Sequence, residues 1–113
     1  MNKKNLIIMN PCSGKKKANR FLTDIVDIFT KDGYMNTVLT TLKQGDGTSY
    51  VKEYGAEYDL ITCIGGDGTF NEVVAGLLEN DIDVPIGYIP AGSTNDFDQA
   101  YSSSSVKLRK MSA

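Results

Sequence analysis

The stretch that decides the fold reads LITCIGGDGTFNEVVAGLL and occupies residues 60–78. Its first five residues form a largely apolar run, typical of a strand buried inside a parallel sheet. Its last nine residues carry apolar side chains at the three- and four-residue spacing of a helix. Three glycines, Asp67 and Thr69 stand between these two parts. The stretch therefore predicts a strand, a tight glycine-rich turn over 65–69 and a helix.

The turn also carries a chemical signal. Glycines let the main chain approach a ligand closely and adopt positive φ, while the N–H groups of the following helix favour an anion. Asp67 would repel that anion unless a cation bridges the two or the carboxylate handles a proton. The turn therefore indicates magnesium-assisted phosphoryl transfer. A capped tight turn explains the glycines and Thr69 but not Asp67, whereas Glu72, in the expected first helical turn, fits a helix-dipole role equally well.

Strands and helices alternate along the rest of the chain. The predicted strands are 6–9, 34–41, 59–64 and 86–89, and the predicted helices are 18–29 with a stop at Gly33, 46–54 between an Asp46 cap and Gly55, 70–80, and one starting at Asp96. This alternation predicts an α/β fold, a three-layer α/β/α sandwich with a mainly parallel sheet. Loops at the carboxyl ends of such strands form the ligand site.

Two further loops follow strands at the same edge. NPCSGKKK, residues 10–17, offers amides, the Ser13 hydroxyl and Lys15 to phosphates, although a plain turn with solvated lysines explains it equally well. PAGSTND, residues 90–96, is small and polar, and its Asn95 or Asp96 also suits a helix cap. Thr41 ends the second strand nearby. Because the loops converge, they favour one ligand site.

Composition excludes several classes of function. The chain has 113 residues and a net charge of -2, so we expect no nucleic-acid partner. It has no histidine, and its two cysteines lack zinc-ligand spacing, so two free thiols are expected. No apolar run is long enough for a membrane span or a signal-peptide core, which predicts a cytoplasmic protein.

Four motifs taken together resemble the N-terminal half of the diacylglycerol kinase catalytic-domain family, which includes soluble bacterial lipid kinases and their sphingosine and ceramide kinase relatives. They are NPxSGK at 10–15, Thr41 with Gly45 and Asp46, GGDGTxNEVxxGL at 65–77 and IPxGSxNDF at 89–97. They occur in the family's order and spacing over nearly the whole chain to about Ala100. Ser93 replaces the family's usual Thr and keeps the hydroxyl, and Gly47 replaces a frequent Ala.

The resemblance implies an ATP-dependent kinase with Mg²⁺ that phosphorylates a lipid hydroxyl, as on diacylglycerol. The implied catalytic residues are Asp67 and Asp96, which organise magnesium, water and the phosphate, although individual metal ligands stay unassigned. The implied nucleotide-binding residues are Asn10, Pro11, Cys12, Ser13, Gly14, Lys15, Thr41, Gly65, Gly66, Asp67, Gly68, Thr69, Phe70, Asn71, Glu72 and Ser93.

The resemblance also implies a division of the protein. Residues 1–101 are expected to form the nucleotide-binding half and 102–113 a flexible tail, while the family's β-rich second domain is missing. We therefore expect this chain alone to be inactive toward lipid, to touch the membrane surface only transiently and to self-associate as a two-fold dimer through exposed apolar surface. Two alternatives stay open: an NAD kinase-like enzyme, which shares the GGDGT loop and a related fold, and a non-catalytic nucleotide-binding module.

Overall fold

Two apolar runs form the centre of a parallel sheet. The computed structural model describes residues 3–11 and 17–90, where the strands are β1 (Lys3–Met9), β2 (Tyr34–Thr40), β3 (Leu60–Gly65) and β4 (Ile86–Pro90). Their order is β2-β1-β3-β4, and every pairing is parallel. Because β1 and β3 are the inner strands, their side chains are buried on both faces of the sheet, apart from the first two residues of β1.

Helices connect these strands. They are α1 (Lys17–Lys31), α2 (Asp46–Tyr54) and α3 (Asp67–Glu79), and a 3-10 turn, Gly55–Glu57, extends α2. Each helix carries the chain back so that the next strand runs parallel to the others. In the described part of the chain, no helix is long and apolar enough to cross a membrane.

An apolar core covers each face of the sheet. The core on the α1 face contains Ile7, Met9, Ile25, Phe29, Leu60, Ile64 and Ile89. The core on the α2 and α3 face contains Leu6, Ile8, Val51, Ile61, Cys63, Val73, Leu77 and Ile86. Successive β1 residues alternate between the two cores, as the two-residue period of a strand requires. The predicted three-layer α/β/α sandwich with a parallel sheet is confirmed.

A row of polar side chains crosses the sheet inside the α1 core. The fully buried Asn5 donates to Oδ1 of Asn36 at 3.0 Å and accepts from the Thr62 hydroxyl at 2.9 Å. Asn36 in turn donates to Oγ1 of Thr30 at 3.1 Å. Buried polar groups are costly unless each finds a partner. The row therefore ties three strands and α1 together in one register, which the sequence patterns did not predict.

Two predicted helix signals act differently in the structure. Asp46 is the first residue of α2 rather than its cap, a position taken by Gly45 with φ of 95°. Gly55 is the C-cap of α2, as predicted, but with φ of -56° it is not left-handed and leads directly into the 3-10 turn. Gly33, with φ of 92°, is the left-handed residue that follows α1, as predicted. The predicted helix from Asp96 and the tail 102–113 lie outside the described residues.

Candidate functional site

The carboxyl ends of the strands meet at one edge of the sheet. The chain passes from β1 to β2 on one side and later enters β3 on the other side of β1, so the strand order reverses between β1 and β3. The N–H of Asn10 donates to the Ile64 carbonyl and that of Thr41 to the Met9 carbonyl, both at 2.9 Å. These bonds join three strand ends. Open parallel sheets bind their ligands at such a switch point.

A cleft of about 420 Å³ opens at this edge. Its lining residues are Asn10, Thr41, Leu42, Lys43, Gln44, Gly68, Thr69 and Glu72. The volume lies in the range of small-molecule sites. The structure therefore brings together members of three separate predicted segments. It adds Leu42, Lys43 and Gln44, which carry no motif of their own in the sequence.

The junction between β3 and α3 is a single residue. Gly66 is the N-cap in an extended backbone conformation with no side-chain cap, and α3 begins at Asp67. Neither Gly66 nor Gly68 has positive φ, so the structure does not use the left-handed conformation that glycine permits at either position. A Cβ atom on either glycine would meet nothing within 4 Å in the described part of the chain. Among the described residues, none therefore occupies these two positions beside the first N–H groups of α3, which have no intrahelical acceptor.

Asp67 is exposed at the start of α3, where its carboxylate meets Tyr88 of β4. The Tyr88 hydroxyl donates to Oδ1 of Asp67 at 3.1 Å, and the Tyr88 ring packs against Phe70 with centroids 4.7 Å apart. Burial raises the pKa of Tyr88 to about 12, and the hydrogen bond and charge of Asp67 act in the same direction. Tyr88 therefore stays protonated at neutral pH and orients Asp67. The sequence placed Tyr88 in a strand and gave no sign of this contact.

The loop from Thr41 to Gly45, which we call the wall loop, forms one side of the cleft. Oδ2 of Asp46 accepts from the N–H groups of Leu42 at 2.7 Å and Lys43 at 3.0 Å. The Nζ of Lys43 lies 3.2 Å from Oδ1 of the same carboxylate. These amide bonds lower the pKa of Asp46, which is only 8% exposed. The carboxylate is therefore ionised at neutral pH, and its hydrogen bonds to these amides stabilise the conformation of the wall loop.

Glu72 reaches the wall loop from the other side. It is the sixth residue of α3 and not part of the first turn, so the helix-dipole role considered for it does not apply. Its Oε2 accepts from the N–H of Gly45 and its Oε1 from that of Gly47, both at 3.0 Å. The Thr48 hydroxyl also donates to the Glu72 carbonyl at 2.7 Å. Glu72 therefore joins α3 to the start of α2.

The remaining predicted residues either do not line the cleft or lie outside the described residues. Gly65 ends β3, Pro11 follows Asn10, and Asn71 is exposed on α3. The residues that lie outside the described ranges are Cys12, Ser13, Gly14, Lys15, Ser93 and Asp96. Within the described ranges, no three Cys, Asp or Glu side chains form a cluster able to hold a metal ion by themselves.

Comparison with known proteins gives a consistent result. The family described as the diacylglycerol kinase catalytic domain matches residues 4–111. A diacylglycerol kinase of Staphylococcus epidermidis is 43% identical over 101 residues, which cover 88% of this chain and 32% of that protein. The diacylglycerol kinase of Bacillus subtilis is 43% identical over 95 residues, covering 83% of this chain and 31% of that protein. The chain thus spans about a third of the length of these curated relatives.

A solved structure shares the fold. The crystal structure of a diacylglycerol kinase from Bacillus anthracis superposes with a TM-score of 0.71 at 37% sequence identity. The match covers 86% of this chain and 34% of that one.

Proposed function

The chain belongs to the diacylglycerol kinase catalytic domain family, and on that basis we propose that its cleft binds ATP as the nucleotide-binding part of a lipid kinase. In the full-length protein, the γ-phosphoryl group would pass from ATP to the hydroxyl of a diacylglycerol-like lipid. The family match favours this acceptor over NAD, which was the nearest enzymatic alternative. A non-catalytic nucleotide-binding module would share the cleft and differ only in lacking transfer.

One observation carries the proposal. Gly66 and Gly68 have ordinary backbone angles and open space where a side chain would lie, so the described chain itself gives no reason for glycine at either position. A ligand approaching the main chain would give that reason. In the described part of the chain, no side chain caps the N-terminus of α3 beside them, and such a helix end favours an anion, which suits the phosphates of a nucleotide.

The described residues fit a magnesium ion held together with ATP. Mg²⁺ commonly uses one or two carboxylates and completes its shell with water and substrate phosphates. In the described part of the chain, Asp46 and Glu72 already accept hydrogen bonds on both oxygens, whereas Asp67 accepts only the bond from Tyr88 on Oδ1. We therefore assign the ion to Asp67. When bound, the ion would neutralise charge on the phosphates.

The chain's own contribution is then positioning, which supplies most of the rate in phosphoryl transfer. The amides of α3 and the side chains of Asn10 and Thr41 would hold the phosphates and the nucleotide in the cleft. Tyr88 would keep the Asp67 carboxylate at the junction. From the family resemblance, Lys15, Ser93 and Asp96 would add contacts, although they lie outside the described residues.

The lipid acceptor, a transient contact with the membrane surface and a cytoplasmic location belong to this proposal for the full-length protein. Residues 1–101 would serve as its nucleotide-binding half. For the chain alone, we propose ATP binding without lipid turnover, because phosphate positioning without an aligned acceptor forfeits most of the rate advantage. The predicted homodimer remains a proposal that light scattering over a dilution series would test.

Isothermal titration of this chain with ATP and Mg²⁺ tests the nucleotide site. Binding should disappear in Gly68→Val, because the new side chain would occupy the open space beside the α3 amides. Ser49→Val is the control, since it places the same side chain on an exposed position of α2. Equal binding by wild type and Gly68→Val would place the nucleotide elsewhere.

A further inference from the structure

Glu72 lines the cleft, yet its carboxylate is directed at the protein's own main chain. We infer that Glu72 is a positioning residue, which sets nucleotide affinity by holding the wall loop and not by contacting the nucleotide or its metal ion. The inference rests on the proposed function. Its basis is the pair of 3.0 Å hydrogen bonds from the Gly45 and Gly47 amides, one to each carboxylate oxygen.

The start of α2 is a ready anion site that the protein fills by itself. Helix N-termini attract anions through their free N–H groups, and Glu72 occupies that position for α2. Asp46 takes the amides of Leu42 and Lys43 in the same way. Two internal carboxylates thus bind four amides of residues 42–47. A nucleotide phosphate would therefore bind the amides at the start of α3. The wall loop could contact the nucleotide only through side chains, because these four amides already have acceptors.

The first residues of α2 pack closely against Glu72. A Cβ atom on Gly47 would lie 3.0 Å from both Cβ and Oε1 of Glu72, so a larger residue there would require the glutamate to move. The Thr48 hydroxyl fixes the Glu72 carbonyl at 2.7 Å. That bond holds the main chain of Glu72, whereas the side chain is held by the Gly45 and Gly47 amides and by the close approach of Gly47, and it has little freedom to turn toward a ligand in the cleft.

The direction in which one substitution changes nucleotide affinity separates this role from the alternatives. Glu72→Gln removes a negative charge from the lining of a cleft that would hold a polyphosphate. If Glu72 only lined the cleft, the loss of repulsion should strengthen nucleotide binding. If Glu72 positions the wall loop, binding should weaken, because the glutamine NH₂ group would face an amide N–H that needs an acceptor.

The experiment measures nucleotide affinity and amide exchange on this chain. Affinity for a fluorescent ATP analogue with Mg²⁺, and again with EDTA, should fall about tenfold or more in Glu72→Gln under both conditions. Hydrogen exchange at Gly45 and Gly47 should speed up in the same variant, while the amides of β1 and β3 stay protected.

Two controls separate positioning from general destabilisation. Glu53→Gln removes the same charge from an exposed position of α2 and should leave affinity and exchange unchanged. Thr48→Val removes the hydroxyl bond to the Glu72 carbonyl and keeps the carboxylate, so it should lower the melting temperature and change affinity by less than about twofold.

Each contrary result overturns either the positioning role of Glu72 or the proposed function. Tighter or unchanged binding by Glu72→Gln, or unaltered exchange at Gly45 and Gly47, would overturn the positioning role. Weakening that appears with Mg²⁺ and is absent with EDTA would identify Glu72 as a metal ligand and also overturn it. Failure of the wild-type chain to bind any nucleotide would instead overturn the proposed function itself, and with it the purpose assigned to Glu72.

Discussion

Tyr88 and Asp67, on adjacent β4 and α3, are joined by a hydrogen bond of 3.1 Å from the phenol to Oδ1 of the carboxylate. The contact connects the core side of the sheet to the exposed start of α3. Tyr88 is partly buried and packs against Phe70, so it offers a fixed donor to a carboxylate that is otherwise exposed.

Removing that donor should loosen Asp67 without unfolding the protein. In Tyr88→Phe the ring stays against Phe70, so the free energy of unfolding should fall by no more than about 1 kcal/mol. Affinity for Mg²⁺-ATP should fall a few-fold, because the carboxylate is no longer oriented. Urea denaturation and nucleotide titration measure the two effects. Tyr54→Phe, on an exposed tyrosine of α2, is the control. Unchanged affinity would show that Tyr88 serves packing alone.

The role of Asp67 itself is tested by metal removal. For the wild-type chain we expect ATP to bind about tenfold more tightly with Mg²⁺ than with EDTA, whereas in Asp67→Asn that ratio should approach one. The fold should persist, because an amide oxygen can still accept from Tyr88. Asp83→Asn, an exposed aspartate near β4, should behave as wild type. A preserved magnesium effect in Asp67→Asn would mean that Asp67 does not hold the ion.

The layered fold could be predicted because its signals are local. Apolar runs such as residues 60–64 and the helical spacing of 73–78 each lie within one element, and their alternation leaves few possible topologies. The same logic placed Asn10, Thr41 and Gly68 at one edge, because parallel strands end there together.

The contacts that shape the site could not be predicted because they join distant parts of the chain. Glu72 binds amides 25 and 27 residues away, and Tyr88 reaches Asp67 across 21 residues. No periodicity encodes such pairs. Asp46 shows the local limit as well: an acidic residue at a helix start favours a cap, yet here the carboxylate turns back to the preceding loop.

The buried Cys63 thiol should make stability depend on alkaline pH. Burial, with a smaller effect of the Glu72 charge, raises its pKa from the ordinary 9.0 to about 12. Between about pH 9 and pH 12, the thiol of Cys63 is therefore protonated in the folded state and ionised in the unfolded state. This contribution to stability is complete below pH 9 and is lost as the pH rises from about 9 toward 12.

Cys63→Ala isolates the effect. The difference in unfolding free energy between wild type and this variant should narrow by roughly 1 kcal/mol from pH 8 to pH 10, measured by urea denaturation under reducing conditions. Ala75→Ser, on α3, is the control for a small substitution that adds no group ionising in this range. A constant difference across the range would mean that the thiol ionises alike in both states.

The side chains of the polar row across the sheet should contribute to the free energy of unfolding in a coupled, non-additive way. Asn5→Leu leaves the buried Thr62 hydroxyl and the partly buried Oδ1 of Asn36 without their partner, which should cost about 2–4 kcal/mol of unfolding free energy. Adding Thr62→Val removes one of the two orphaned groups and should recover part of the loss. Additive effects in this double-mutant cycle would show that the two side chains are not coupled.

Gly76 should be irreplaceable because α2 crosses α3 at that point. A Cβ atom there would lie 2.8 Å from Cβ of Val51 and 3.1 Å from the Thr48 carbonyl, and the second of these atoms belongs to the main chain. Alanine normally gains about 1 kcal/mol over glycine inside a helix, so propensity alone favours Gly76→Ala. The overlap requires α2 to move, and overpacking of this kind costs about 1–3 kcal/mol, which should outweigh the gain.

Gly68→Ala is the matched comparison, since its Cβ meets nothing within 4 Å in the described chain, and its stability should be unchanged or higher. Thermal unfolding of both variants therefore separates propensity from packing: if both became more stable, the close approach of α2 and α3 would not constrain the fold.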